Sequence, residues 1–182
     1  EREVSGDFYA LTLFGRGLWG ALGARSKVDY EKARKLLERA VFIDPKLSEA
    51  HRLLGVLFQN THRPAQARAR FLFALEERPR YAAALRALAR AARAEGQDLQ
   101  ARELLEDFLI LRPWELGARH ELGVLYWELG RADEAFDQLS RVVEKTPRSV
   151  ETRRALVLIH ASRSDTKNLV RELEAVVALD PK

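Results

Sequence analysis

The sequence contains no cysteine. Disulfide and thiolate chemistry are therefore closed to it, and neither a reducing nor an oxidising compartment is excluded, so cytoplasmic and periplasmic settings both fit. It also has no methionine, not even an initiator. That reads as an internal fragment or a processed form, from which a signal peptide or lipid anchor could have been removed. Long apolar runs are missing. The nearest, "FYALTLFGRGLWGALGA" at 8–24, carries Arg16 and four glycines and falls short of the ~20 residues of a membrane span. A buried or interface helix is the better expectation. A strong charge of one sign is missing as well: 31 basic against 27 acidic residues leave a net charge of +4. The pI of about 9.6 therefore overstates any case for nucleic acid. The basic residues are 24 Arg and 7 Lys, a bias that a GC-rich bacterial genome gives as readily as a function does.

Reactive constellations are equally scarce. No two of the four histidines (His51, His62, His120 and His160) stand at i+3 or i+4, so no metal site is expected. His51 and His160 read as helix-packing residues. The glycines of "GRGLWGALG" at 15–23 follow no strand and precede no Lys–Ser/Thr pair, so they make a poor phosphate loop. They fit a close helix crossing better. No Ser–His–acid arrangement is supported. No catalytic residue, metal or cofactor is expected, and the chain reads as non-enzymatic.

What the sequence does have is a period. Proline stands at 45, 79, 113, 147 and 181, always 34 residues apart, in the words "IDP", "ERP", "LRP", "KTP" and "LDP". Only Pro64 is off the beat, and it fits the first turn of a helix. "LLGVLFQ" from Leu53 and "ELGVLYW" from Glu121 lie two periods apart. Ala33, Ala67, Ala101 and Ala135 form one column. Leu37, Phe71, Leu105, Leu139 and Leu173 form another. A fixed period of this size signals a repeat architecture.

These columns resemble the tetratricopeptide repeat family, whose unit is two antiparallel helices. Its pattern has small residues at the eighth and twentieth places, an aromatic at the eleventh, a bulky apolar residue at the twenty-fourth and proline at the thirty-second. Gly55 with Ala67 and Phe58 with Phe71 fit it, and residues 48–81 and 116–149 match best. Ala89 and Ala92 replace Gly and the aromatic in the third unit, Gly20–Ala21 replace Leu–Gly in the first, and His160 takes the aromatic place in the fifth. The resemblance implies an all-α fold, a right-handed superhelical solenoid of about five 34-residue units forming one array over 1–182. The units run at about 7–47, 48–81, 82–115, 116–149 and 150–182. The expected helix pairs are 7–25 and 29–43, 48–60 and 64–78, 82–95 and 98–111, 116–129 and 132–145, 150–162 and 166–179.

The resemblance also assigns faces. In this family the first (A) helix of each unit lines a concave groove, and the second (B) helix lies outside. "ALRALARAARAEG" at 84–96 places Arg86, Arg90 and Arg93 within about 60° of arc on one A helix, at groove places. Stepping by 34 from Arg52 gives Arg86, His120 and Arg154, a basic ladder. The twelfth place reads Arg25, Gln59, Arg93, Trp127 and Ala161. Ala83, Ala87 and Ala94 keep the wall shallow. Arg52, Arg86, Arg90, Arg93, His120, Trp127 and Arg154 are thus the expected partner-binding groove, suited to an acidic and apolar peptide. Arg86 and Arg90 are expected to be accessible and without structural duty. Arg68 and Arg102, on B helices, lie off this face. Trp19 and Trp114 read as ordinary packing anchors. Glu49, Glu121 and Glu128 share the surface with the arginines.

The pattern by which one subset of the family clamps chaperone tails is absent: in units two to four its places hold Arg52, Val56, Ala87, Gly117 and Glu121. The expected function is a protein–protein interaction scaffold or adaptor that docks a protein or peptide and supports assembly of a larger complex. One alternative is a basic helical-repeat module for nucleic acid, against which stands the interleaving of acidic residues. The other is a self-assembling scaffold, because Leu169, Leu173, Val176 and Val177 would be left partly uncovered at one end.

Overall fold

The computed structural model describes residues 10, 13, 14, 16–18 and 27–180. Residues 27–180 form nine helices: α1 Lys27–Ile43, α2 Ser48–Asn60, α3 Pro64–Glu77, α4 Ala82–Ala94, α5 Asp98–Leu111, α6 Leu116–Glu128, α7 Ala132–Lys145, α8 Val150–Ser162 and α9 Thr166–Leu179. The described residues contain no strand. These helices follow the 34-residue period, each boundary within two residues of the one expected. Of the expected first helix, Ala10, Leu13, Phe14 and residues 16–18 are helical. Trp19, Gly20, Ala21, Leu22 and Arg25 lie outside the described residues.

Two devices cut the chain into helices of this length. Proline at the thirty-second place cannot donate to the helix before it, and the B helices end a few residues earlier. The A helices end differently. His62, Gly96, Gly130 and Ser164, spaced by 34, all have positive φ, between 55° and 75°. In each case the next residue's N–H returns to the carbonyl five residues back: Arg63 to Phe58, Gln97 to Ala92, Arg131 to Tyr126 and Asp165 to His160, at 2.8–3.0 Å. This left-handed cap closes the A helix and aims the chain into the B helix.

Packing follows the columns. Ala33, Ala67, Ala101 and Ala135 are fully buried or within one per cent of it. So are Leu37, Phe71 and Leu139, with Leu105 close behind. Leu54, Leu88, Leu122 and Leu156 form a further buried column, and Ala50, Ala84, Ala118 and Thr152 another. Small residues at the crossings let large ones fill the space between helices. A Cβ on Gly55 would strike the Phe71 ring, and one on Gly123 would lie 2.7 Å from Leu139 Cγ.

The same contact recurs in the first unit: a Cβ on Gly17 would lie 2.7 Å from Leu37 Cγ, so Gly17 stands at a crossing, while the expected Gly20–Ala21 lie outside the described residues. Gly55 and Gly123 precede their bulky partners by 16 residues, and Gly17 precedes Leu37 by 20. Four additional residues therefore separate the crossing points of the first pair. Phe14 and Leu18 pack half-buried against the same core as Leu37.

The chain divides into two compact units, Glu1–Leu104 and Leu105–Lys182, with the boundary inside α5. In the first, α1 packs on α2, α2 on α3 and α3 on α4, and α2 also touches α4. In the second, α6 packs on α7, α7 on α8 and α8 on α9, and α6 also touches α8.

Candidate functional site

In the first compact unit the candidate surface is built by α2 and α4. Arg52 leaves α2 with only 20% of its side chain exposed. Its Nε donates to the Tyr81 hydroxyl at 2.8 Å, and an Nη lies 3.5 Å from Glu49. Burial pushes the Tyr81 phenol above its ordinary pKa, so the acceptor is a neutral hydroxyl. Tyr81 is the N-cap residue of α4. Arg52 therefore ties the two A helices together as well as presenting charge. Arg86 is half-buried, with its Nε fully so. Its side chain is therefore less accessible than expected, the root of the guanidinium being shielded from solvent. Arg90 is exposed, Arg93 half-buried, and the alanines beside them form the expected shallow wall, with Ala83 and Ala94 exposed and Ala87 half-buried. Where α2 and α4 end, Gln59, His62, Pro64, Ala91, Ala94 and Glu95 line a cavity of about 450 Å³.

In the second compact unit the surface is built by α6 and α8. His120 is half-buried, its Nδ1 3.0 Å from Thr152 Oγ1. Thr152 in turn lies 2.8 Å from Ser149 Oγ, whose side chain caps α8. The three side chains line a cavity of about 350 Å³ with Gly117, Thr146 and Glu151. Trp127 is half-buried. Arg154 is exposed and reaches Asp180 at 2.9 Å. The basic ladder is thus distributed: Arg52, Arg86, Arg90 and Arg93 in one unit, His120, Trp127 and Arg154 in the other. The ladder members Arg52, His120 and Arg154 each hold a partner on another helix or turn.

Other residues read differently in three dimensions. Arg68 is a clamp: it donates to Glu95 at 2.9 Å, to Gln100 at 3.0 Å and to Gln97, tying α3 to the turn before α5. No single-sequence signal marks it, because its partners are one period away. Trp114 is not a packing anchor. It is 63% exposed, with the Arg112 guanidinium 5.5 Å from its ring centroid. His51 and His160 do pack as expected. His51 is buried, stacks on Phe73 at 5.5 Å and donates from its Nε2 to the Pro45 carbonyl at 2.9 Å. His160 is buried edge-on against Phe136, its Nδ1 3.2 Å from Asp165. Among the described residues no His/Asp/Glu group is arranged to hold a metal ion, and no helix is long and apolar enough to cross a membrane.

Comparison with known proteins agrees with this architecture. Among solved structures, MamA from AMB-1 superposes with a TM-score of 0.84 at 20% identity, covering 96% of this chain and 93% of that one. YrrB, described as a TPR protein with an unusual peptide-binding site, gives 0.77 at 19% identity over 85% and 79%. PilF of Pseudomonas aeruginosa gives 0.77 at 18% identity over 96% and 78%. At these identities the likeness is one of fold. No curated protein sequence matches the chain. The tetratricopeptide repeat model matches residues 53–114 and 99–150. Those segments span more than half of the sequence and include the central members of the columns and the caps at His62, Gly96 and Gly130: the chain belongs to the tetratricopeptide repeat family.

Proposed function

We propose that the chain is a non-enzymatic docking scaffold whose A-helix face receives an extended or helical peptide with acidic and apolar side chains, in support of a larger assembly. The observation that carries this reading is the surface of α4: exposed Arg90 stands between exposed Ala83 and Ala94. A wall of alanines leaves room for a partner backbone, and a guanidinium offers it planar, charge-assisted hydrogen bonds. Arg52, held by Tyr81, supplies a pre-positioned second cation. The peptide-binding description of YrrB is in keeping with this use of the fold. The test fills the wall without touching charge. Ala83→Trp with Ala94→Trp should abolish capture of partner proteins that the intact chain retains from extract, while circular dichroism stays unchanged. Undiminished capture by a folded double variant would remove this face from consideration.

A second reading has its own observation. On α9, Val170, Leu173 and Val177 are 46%, 43% and 62% exposed. Leu173 stands one period after Leu139, which is fully buried. The position that α7 buries is open on α9, and this favours association of copies through α9. Val170→Lys with Val177→Lys should then lower the association state seen by sedimentation.

A further inference from the structure

In the second compact unit a cleft of about 370 Å³ opens between the α5–α6 turn and the C-terminal half of α7, lined by none of the residues assigned to the A-helix face. Its apolar side is Trp114, 63% exposed, with Leu116 beside it. Its polar side is Arg119, Arg141 and Lys145 against a single carboxylate, Glu144. Arg119 is fixed by two hydrogen bonds, to Gln138 Oε1 and to the Pro113 carbonyl, each 2.7 Å. Both acceptors are neutral, so the charge is positioned without being neutralised. Arg141 is paired on one side with Asp137 at 3.1 Å and keeps 57% of its side chain exposed. Lys145 is exposed in the last turn of α7.

We propose that this cleft is a second docking site, for a partner peptide in which an acidic side chain adjoins an aliphatic one. Three cations exceed the two carboxylates near them, Glu144 in the lining and Asp137 paired to Arg141; that excess calls for a carboxylate, and a solvent-facing indole beside a leucine calls for an apolar neighbour to it. Tryptophan and arginine together are the pair that most often dominates a binding surface. A guanidinium already held by the protein loses little further freedom when it takes up a ligand. The volume suits one or two side chains, so the site reads a short motif rather than a long segment. Such a site would let the chain engage a second partner while the A-helix face is occupied.

The experiment follows the indole N–H signals of the ¹⁵N-labelled chain, with Trp114 assigned through Trp114→Phe. The probe is the blocked hexapeptide Gly-Asp-Leu-Glu-Leu-Gly, and the counter-probe replaces both acids with lysine. The acidic peptide should shift the Trp114 signal saturably and leave Trp127 in place. Arg141→Glu with Lys145→Glu should weaken that binding about tenfold or more, since attraction becomes repulsion. Arg90→Glu should bind the probe as the intact chain does, which separates this site from the A-helix face. A Trp114 signal unmoved at millimolar acidic peptide would overturn the proposal. So would an equal shift from the lysine peptide, or undiminished binding by the folded double variant. A stronger shift with oligo(dT) than with peptide would reassign the cleft to nucleic acid.

Discussion

His51, which reads from the sequence as a packing residue, is buried with a neighbour at each ring nitrogen. Its Nε2 faces the Pro45 carbonyl, which only accepts, so the neutral ring carries its proton there. Nδ1 is left facing an Arg70 Nη at 3.5 Å. Burial holds the imidazole below its ordinary pKa, with the Arg70 charge acting in the same direction and the Pro45 carbonyl opposing. The unfolded chain therefore binds the proton more readily than the fold does, and stability must fall as pH drops below the ordinary histidine range near 6.5. Urea midpoints at pH 7.5 and 5 should show that loss, and His51→Gln should flatten the part due to this residue. An identical pH dependence in the variant would show that His51 is not its source. At the crossings the effect is steric. Gly55→Leu or Gly123→Leu puts a branched side chain where a single Cβ already collides with Phe71 or Leu139. A cost of about 1–3 kcal/mol or more is expected, read as a lowered denaturation midpoint.

The helices were legible in the sequence because a helical repeat writes the same physical constraint every 34 residues. Proline, small residue and bulky residue recur in fixed columns, and the boundaries of α2 to α9 follow from them. What the period could not reveal is where a unit departs from it. Gly17 stands at the Leu37 crossing with four more residues between them than in the later pairs, and a change of spacing leaves no mark in columns counted backward from later units. Nor do columns give side-chain partners across a period, such as Arg68 with Glu95 or Arg52 with Tyr81. Residue type alone makes Trp114 an anchor, whereas it stands at the turn between two helices, 63% exposed beside the Arg112 guanidinium. The clearest such cross-helix tie is Arg153 on α8. It donates to Glu172 on α9 at 2.5 Å, and the Glu172 side chain is only 4% exposed. Arg153→Met would leave a buried carboxylate with only the more distant, exposed Arg171 at 3.4 Å. An unpaired buried charge costs on the order of 3–5 kcal/mol, and Arg171 should recover part of that. The loss should be local to α9, visible as faster amide exchange there than in α6, because a repeat depends on its neighbours more than on the whole. Uniform acceleration through both helices would mean that the second unit opens as one.

At the scale of the whole molecule the open matter is whether the arginines of the A-helix face read a partner or merely keep the surface wet. The molecule carries little net charge, so a diffuse electrostatic attraction is a poor explanation for specific binding. Arg90 is the fitting probe, being the exposed member of the stripe, whereas Arg86 has a buried Nε. Arg90→Glu should leave stability within about 0.5 kcal/mol, as an exposed substitution does. If the face docks an acidic segment, the same change should weaken binding several-fold, because an attractive contact becomes a repulsive one. Arg68 is unsuitable as the control, since reversing it breaks the clamp to Glu95 and Gln100 and confounds binding with folding. Arg80 and Arg148, exposed in the turns before α4 and α8, are the better pair. Calorimetry with the captured partner, and circular dichroism on each variant, complete the comparison. A loss at Arg90 alone supports docking on this face. Equal losses at Arg90 and at the turn arginines, with log affinity falling linearly with log salt at a slope of about 0.9 per phosphate contacted, would identify the partner as nucleic acid. No loss at Arg90 would leave the stripe as a solvated face and shift attention to the Trp114 cleft and to α9.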